Sequence, residues 1–235
     1  MTTIWVINAN TTESMTDGIG RSARAVAAPG TVVVPVTNAR GVPSLESHYD
    51  EAMSVPGVLE AVARGEEEGA DGFVIACFSD PGLDAARELA TGPVIGIAEA
   101  AMHAASHLGR GFSVVTTLSR SIGRSEELAE RYGMDRFCRG MHACDLPVLA
   151  LETDPQARRI VTDACRTALA VDGSDAVVLG CAGMADMCAQ ISAEIGAPVV
   201  DGVAAATLTV QSLVAMGLRT GKLGEYAKPP VKQLR

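Results

Sequence analysis

The chain repeats itself, and a fold built from two similar units is the simplest structure that can satisfy such a repeat. Gly69-Ala-Asp-Gly-Phe-Val-Ile-Ala-Cys77 lies over Gly173-Ser-Asp-Ala-Val-Val-Leu-Gly-Cys181 at an offset of 104 residues, with Gly, Asp, Val and Cys coinciding. A helical stretch follows each copy. A second pair then matches at an offset of 105: Gly92-Pro-Val-Ile-Gly-Ile-Ala-Glu-Ala-Ala101 over Ala197-Pro-Val-Val-Asp-Gly-Val-Ala-Ala-Ala206. More weakly, Val6-Ile-Asn8 sits over Val114-Val-Thr116 at an offset of 108.

Short β-branched runs bounded by turn formers predict strands at 4–7, 31–36, 72–76, 93–97, 113–115, 176–179 and 198–200. The stretch 136–141 is the choice for the remaining partner of the second unit. Runs this apolar suit strands buried on both faces, and the helical segments between them imply right-handed βαβ crossovers. The expected fold class is α/β, with two pseudo-symmetric parallel-sheet lobes and the active site in the cleft between them. The expected boundaries are 1–97 and 98–202, with a C-terminal helix over 203–235 packing back on the first lobe.

Cys77 and Cys181 each end a predicted strand and open a loop leading into a helix, over 81–90 and 185–195 respectively. That is the carboxyl edge at which open α/β sheets bind ligands. Two lobes facing across a pseudo-twofold axis would set the two cysteines opposite each other, on opposite sides of one carbon, as a proton-inverting enzyme requires. A single cysteine is more often a packed thiol, but duplication at strand ends reverses that preference. Cys165 and Cys188 fall inside predicted helices without counterparts and read as packing. Cys138, His142 and Cys144 form a C-x3-H-x-C cluster that lacks the four-ligand spacing of a structural zinc site. His103 and His107, four apart on a helix, have no accompanying HExxH glutamate and read as a solvated face. No metal is expected.

Asn8, Asn10, Thr11 and Thr12 follow the first strand and precede a helix. N-capping accounts for one such residue; binding a polar ligand would use the rest. Thr116 and Thr117, followed by Ser119, carry the same two readings at the equivalent edge. The polar connection Pro43-Ser-Leu-Glu-Ser-His-Tyr-Asp50 is long for a compact lobe, which suits a flap or an interface loop.

Composition removes several classes of function. The 19 basic and 28 acidic residues leave a net charge of −9, which repels phosphate backbones and anionic lipid, so neither nucleic acid nor a membrane is an expected partner. All three lysines, Lys222, Lys228 and Lys232, lie in the tail, away from any position suited to a pyridoxal Schiff base or a P-loop. No apolar run nears the ~18 residues of a membrane span and no basic leader precedes an apolar segment, so the expected location is cytoplasmic. In that compartment the six cysteines stay reduced.

The residues carry a family resemblance. Asn8-x-Asn-Thr-Thr with Ser14-Met-Thr, the loop Ser44-Leu-Glu-Ser-His-Tyr-Asp-Glu51, Ala76-Cys-Phe-Ser-Asp-Pro-Gly-Leu-Asp84 and Gly180-Cys-Ala-Gly-Met-Ala185 resemble the hydantoin racemase branch of the aspartate/glutamate racemase superfamily, over about Ile4 to Gly221. Superfamily amino-acid racemases usually carry Cys-Asn-Thr and Gly-Cys-Thr-His at these places. Cys77-Phe-Ser and Gly180-Cys-Ala-Gly favour hydantoin or allantoin over free aspartate or glutamate. Asn8-Ala-Asn10 departs from the common Asn-Pro-Asn, which removes a rigid residue from the loop but no polar group.

The resemblance implies cofactor-free, two-base racemisation of a 5-monosubstituted hydantoin, a small cyclic amide, by a homo-oligomer. Cys77 and Cys181 would act as acid and base at C5. Asn8, Asn10, Thr116 and Thr117 would bind substrate, with the backbone near Phe78, Ser79, Ala182 and Gly183 stabilising the enolate. A free thiol titrates near 8.5, and a helix N-terminus is expected to lower that by roughly one unit or less. Allantoin racemase shares the same motifs. An arylmalonate decarboxylase would need only one cysteine, a cis-trans isomerase of diacids would use a nucleophilic one, and a non-catalytic two-lobed binding protein would need neither.

Overall fold

A computed structural model describes residues 1–230 and 232. The first half runs β1 (Thr2–Asn8), α1 (Glu13–Val26), β2 (Thr31–Thr37), α2 (His48–Glu67), β3 (Gly72–Ile75), α3 (Leu83–Leu89), β4 (Val94–Gly96) and α4 (Ile97–Ser106). The second runs β5 (Phe112–Thr116), α5 (Ile122–Arg131), β6 (Cys138–Ala143), α6 (Ala150–Thr153), α7 (Ala157–Asp172), β7 (Ala176–Gly180), α8 (Cys188–Ile195), β8 (Val199–Val200) and α9 (Gly202–Ala215). Short 3-10 turns occupy Ser119–Ser121 and Ala182–Met187.

Two four-stranded sheets result, ordered β2-β1-β3-β4 and β6-β5-β7-β8, with every strand pair parallel. The orders are the same once β1 is matched with β5 and β3 with β7, so the sequence repeat is a repeat of sheets. β6 lies two residues later than expected, at Cys138–Ala143.

Alternation along the strands divides the core in three. Ile4, Val6, Val74, Val114 and Val178 share one buried cluster with Ala98, Ala101 and Met102 of α4 and Val203, Ala206 and Val210 of α9. The intervening residues Trp5, Ile7, Phe73 and Ile75 turn the other way, onto α2 and α3. In the second lobe Val115, Val177 and Leu179 turn onto α7 and α8. Each large apolar side chain removed from water contributes about 1.5–3 kcal/mol, and the shared cluster holds the two lobes together.

The C-terminal helix is shorter than expected. α9 packs on α4, α1 and β3, but it stops at Ala215 rather than running on to 235. Gly217 takes a left-handed φ of 72°, and its N–H and that of Leu218 bond back to the carbonyls of Val214 and Leu213, closing the last turn. The following residues lie over the first lobe without helix, with the Thr220 hydroxyl donating to the Gly92 carbonyl (2.6 Å) and Tyr226 to Asp84 (3.1 Å). The part of that expectation at 231 and 233–235 lies outside the described residues. Among the described residues no helix is long and apolar enough to cross a membrane.

Candidate active site

The four central strands, β1, β3, β5 and β7, deliver their carboxyl ends to one cleft of about 580 Å3, open mouth included. Asn8 ends β1, Cys77 follows β3, Thr116 ends β5 and Cys181 follows β7, and all four line that cleft. It also takes in Asn10, Phe78, Ser79, Thr117 and Ala182. Nine of the ten residues expected from the sequence therefore meet there. The tenth, Gly183, lies just behind the wall, where its N–H is within hydrogen-bonding reach of the Cys181 sulfur.

Each cysteine is served by the backbone amide two residues on, Ser79 for Cys77 and Gly183 for Cys181. The Ser79 hydroxyl also sits 3.5 Å from the Cys77 sulfur. These contacts favour thiolate, yet burial outweighs them. Desolvation pushes Cys181 up to about 12 and raises Cys77 as well. Neither cysteine sits at the first turn of an α-helix: α3 begins only at Leu83, and Cys181 opens into a 3-10 turn that precedes α8, so the lowering comes from single amides and burial outweighs it. Each thiol also raises the cost of ionising the other.

The polar residues at the two β1 and β5 ends have different duties. Asn8 is buried and its amide group is spent within the loop: Nδ2 donates to Asn10 Oδ1 (2.8 Å) and Thr16 Oγ1 (3.0 Å), and Oδ1 accepts from the Asn10 amide (3.1 Å). Asn10 Oδ1 also accepts from the Thr12 amide (2.9 Å), so the asparagines, not a Thr12 side-chain cap, order the entry to α1. Thr116 donates to the Gly180 carbonyl (3.3 Å), bracing β5 on β7. The Thr117 hydroxyl has no hydrogen-bond partner among the described residues and faces the cleft.

Strand-end motifs alone did not reveal the far wall. Met15, Leu45, Val148, Ser121, Arg124 and Ser125 complete the cleft. Leu45 comes from the polar 43–50 connection, which does span the lobes: Glu46 accepts from the Val148 amide (2.8 Å). Arg124 is the one charged lining residue described. It reaches from α5 to donate to Glu51 (2.9 Å) and to the Ser79 carbonyl (3.1 Å), both in the first lobe. Nothing in its local sequence, Ser121-Ile-Gly-Arg-Ser125, marks it; only tertiary contact does.

Cys165 is packed inside α7, and Cys138, His142 and Cys144 turn to separate partners: the Gly140 carbonyl, Asp172 and the Thr117 carbonyl. Among the described residues, no group of three or more His, Cys, Asp and Glu side chains could hold a metal ion. His103 and His107 are exposed.

The fold is thus a two-lobed parallel α/β architecture with one cleft at the carboxyl edge of both sheets and a thiol from each lobe lining it. Residues 4–210 match the family described as Asp/Glu/Hydantoin racemase, and the chain belongs to that family and is an isomerase. It is 48% identical to the hydantoin racemase of Rhizobium meliloti, covering 97% of this chain and 95% of that one. Among solved structures, the allantoin racemase from Klebsiella pneumoniae superposes with a TM-score of 0.98 at 52% identity, covering 100% of this chain and 96% of the other. The allantoin racemase from Pseudomonas fluorescens follows at 0.95 and 37% identity, with 99% of both chains covered.

Proposed function

We propose that the protein racemises 5-monosubstituted hydantoins without a cofactor, Cys77 and Cys181 acting in turn as base and acid on opposite faces of C5. The observation that carries this reading is the pairing itself: two thiols at corresponding strand ends of a duplicated fold, lining one cleft. One sulfur, as thiolate, removes the C5 proton; the electron pair passes into the ring as an enolate on the C4 carbonyl; the other thiol donates its proton to the opposite face. For the other enantiomer the roles exchange.

Burial shapes the chemistry. A thiol raised well above its ordinary range is rarely ionised at neutral pH, but the thiolate it forms is a stronger base, suited to a weakly acidic C–H. With both values raised and each charge opposing the other, the pair favours at most one thiolate, which leaves the second sulfur protonated to act as acid. The Thr117 hydroxyl, without a partner among the described residues, is left to meet the imide edge of the ring, while Asn10 Nδ2 donates to the Met15 sulfur (3.4 Å) on the cleft wall. The reduced state that this chemistry needs fits a cytoplasmic setting, and all six cysteines are free.

Allantoin is itself a hydantoin, carrying a ureido group at C5. The likeness to two allantoin racemases, together with the polar corner of Ser79, Ser121, Arg124 and Ser125, favours a preference for it within the class. A racemisation panel of allantoin, benzylhydantoin and isobutylhydantoin tests both statements. The reading expects turnover of this class, with a kcat/KM for allantoin about tenfold or more above the alkyl analogue for one added hydrogen-bonded group. Equal rates would remove the preference; no turnover of any member would overturn the function.

A further inference from the structure

Asp80, three residues beyond Cys77, closes the Cys77 loop, its amide donating to the Cys77 carbonyl (3.0 Å). Its backbone is held at a φ of 46°, in the left-handed region that Asp tolerates better than most residues, and its side chain is buried. The carboxylate accepts three hydrogen bonds: from the amides of Ala98 (3.1 Å) and Glu99 (3.0 Å) in the first turn of α4, and from the Tyr132 hydroxyl (2.7 Å) at the end of α5. α4 belongs to the first sheet's series of elements, α5 to the second's.

The repeat shows what is unusual here. Asp201 precedes α9, and its own side chain caps that helix by accepting from the Val203 amide (2.8 Å), while its second oxygen accepts from the Ser22 hydroxyl of α1. The equivalent residue before α4 is Gly96, which has no side chain to offer. A Cβ at Gly96 would overlap the Asp80 carboxylate. The first lobe has therefore given up the local cap and brought the carboxylate in from the cysteine loop. Met184 stands where the second lobe would need an Asp80, so the Cys181 loop has no buried carboxylate at that place; its side-chain tie to the first lobe is the exposed ion pair of Asp186 with Arg21 of α1 (2.8 Å).

We propose that Asp80 is a positioning residue for Cys77, tying the Cys77 loop to α4 and, through Tyr132, to the lobe that carries Cys181. The proposal rests on the two-cysteine reading. Arg124, also on α5, holds the same loop at the Ser79 carbonyl, so one helix of the second lobe grips both sides of it. The distance across which the two sulfurs face each other is set through this contact.

Two readouts test it: steady-state kcat and KM with allantoin, and iodoacetamide alkylation of Cys77 in a Cys181→Ser background. Asp80→Ala should lower kcat about tenfold to a hundredfold with KM nearly unchanged, the loss expected when a reacting group is misplaced by about an ångström. Its freed loop should alkylate about threefold faster or more, since exposure governs thiol reactivity. Asp80→Asn, which can still accept from an α4 amide and meet Tyr132, should restore both values to near wild type. Asp201→Ala removes a cap of the same kind from the other lobe and should leave both unchanged. Tyr132→Phe cuts only the bond between lobes and carries the test if Asp80→Ala does not fold; it should shift both readouts in the same directions by a smaller factor. Wild-type kcat and alkylation in Asp80→Ala, or in Tyr132→Phe where that variant stands in, would overturn the proposal, as would equal effects from Asp201→Ala. Undiminished racemisation by Cys77→Ser would instead overturn the acid/base reading, with alkylation still reporting on the loop.

Discussion

The two cysteine loops descend from the same repeated segment, yet they are held differently. In the first lobe the loop after β3 is anchored by a buried carboxylate that reaches α4 and Tyr132, and by Arg124 on the Ser79 carbonyl. In the second, the loop after β7 coils directly into a 3-10 turn held to α1 by the exposed Arg21–Asp186 pair, and Asp201 both caps α9 and accepts from Ser22 of α1. What is kept between the lobes is the minimum for placing a sulfur: a buried strand, the cysteine at its end, and an amide two residues on. What differs is the kind of tie across the lobes: a buried carboxylate and Arg124 at the Cys77 loop, an exposed Arg21–Asp186 ion pair at the Cys181 loop.

The largest expected effect that would sharpen this contrast is a pH dependence. Burial raises Asp80 to about 7, against the ordinary carboxylate value it regains on unfolding. The folded chain therefore holds a proton at Asp80 that the unfolded chain releases. This contribution to stability is complete below the unfolded value and is lost as pH rises from about 4 through 7, roughly 4 kcal/mol if the shift spans three units. Denaturant melts between pH 4 and 8 should show the decline, and Asp80→Asn should flatten it. A slope unchanged by that substitution would show that the anchor carries no such cost.

A smaller effect separates the two helix starts. Gly96→Ala drives a methyl group into the Asp80 carboxylate and should cost about 1–3 kcal/mol, the usual range for overpacking a filled site. Asp201→Ala loses a cap and the acceptor of the Ser22 hydroxyl, for about 1–2 kcal/mol. Thermal melts check both; a harmless Gly96→Ala would mean that the Asp80 carboxylate can move aside and does not anchor the loop.

Much of this was legible in the residues. Parallel strands buried on both faces are near-continuous apolar runs, so seven could be located from them; β6, a half-exposed edge strand reading Cys-Arg-Gly-Met-His-Ala, carries no such run and was placed two residues early. The duplicated Gly69–Cys77 and Gly173–Cys181 segments placed both sulfurs at the same edge of their sheets. The cleft's far wall was not legible, because Arg124, Leu45 and Val148 come from a helix and connections whose local pattern is that of ordinary surface. Asp80 stood in plain view inside the Cys77 motif, but its partners lie 18, 19 and 52 residues away, and hydrogen bonds at that separation leave no local pattern. That the thiols stay largely protonated was legible, but the extent to which burial raises them was not, for a related reason. A helix after each cysteine was visible, but the five residues between Cys77 and α3, and the burial that dominates its titration, depend on the folded chain. The end of α9 turned on Gly217, whose left-handed backbone closes the helix well before residue 235.

The central claim is that both sulfurs act on one carbon, and the most direct measurement follows C5 of a single hydantoin enantiomer in deuterium oxide by NMR and chiral separation. Wild-type protein should exchange the C5 hydrogen for deuterium as it forms the opposite enantiomer. Cys77→Ser and Cys181→Ser should each lose interconversion by about a thousandfold or more, the loss typical of removing a group that reacts in the transition state. Undiminished racemisation by either variant would contradict the two-base assignment outright.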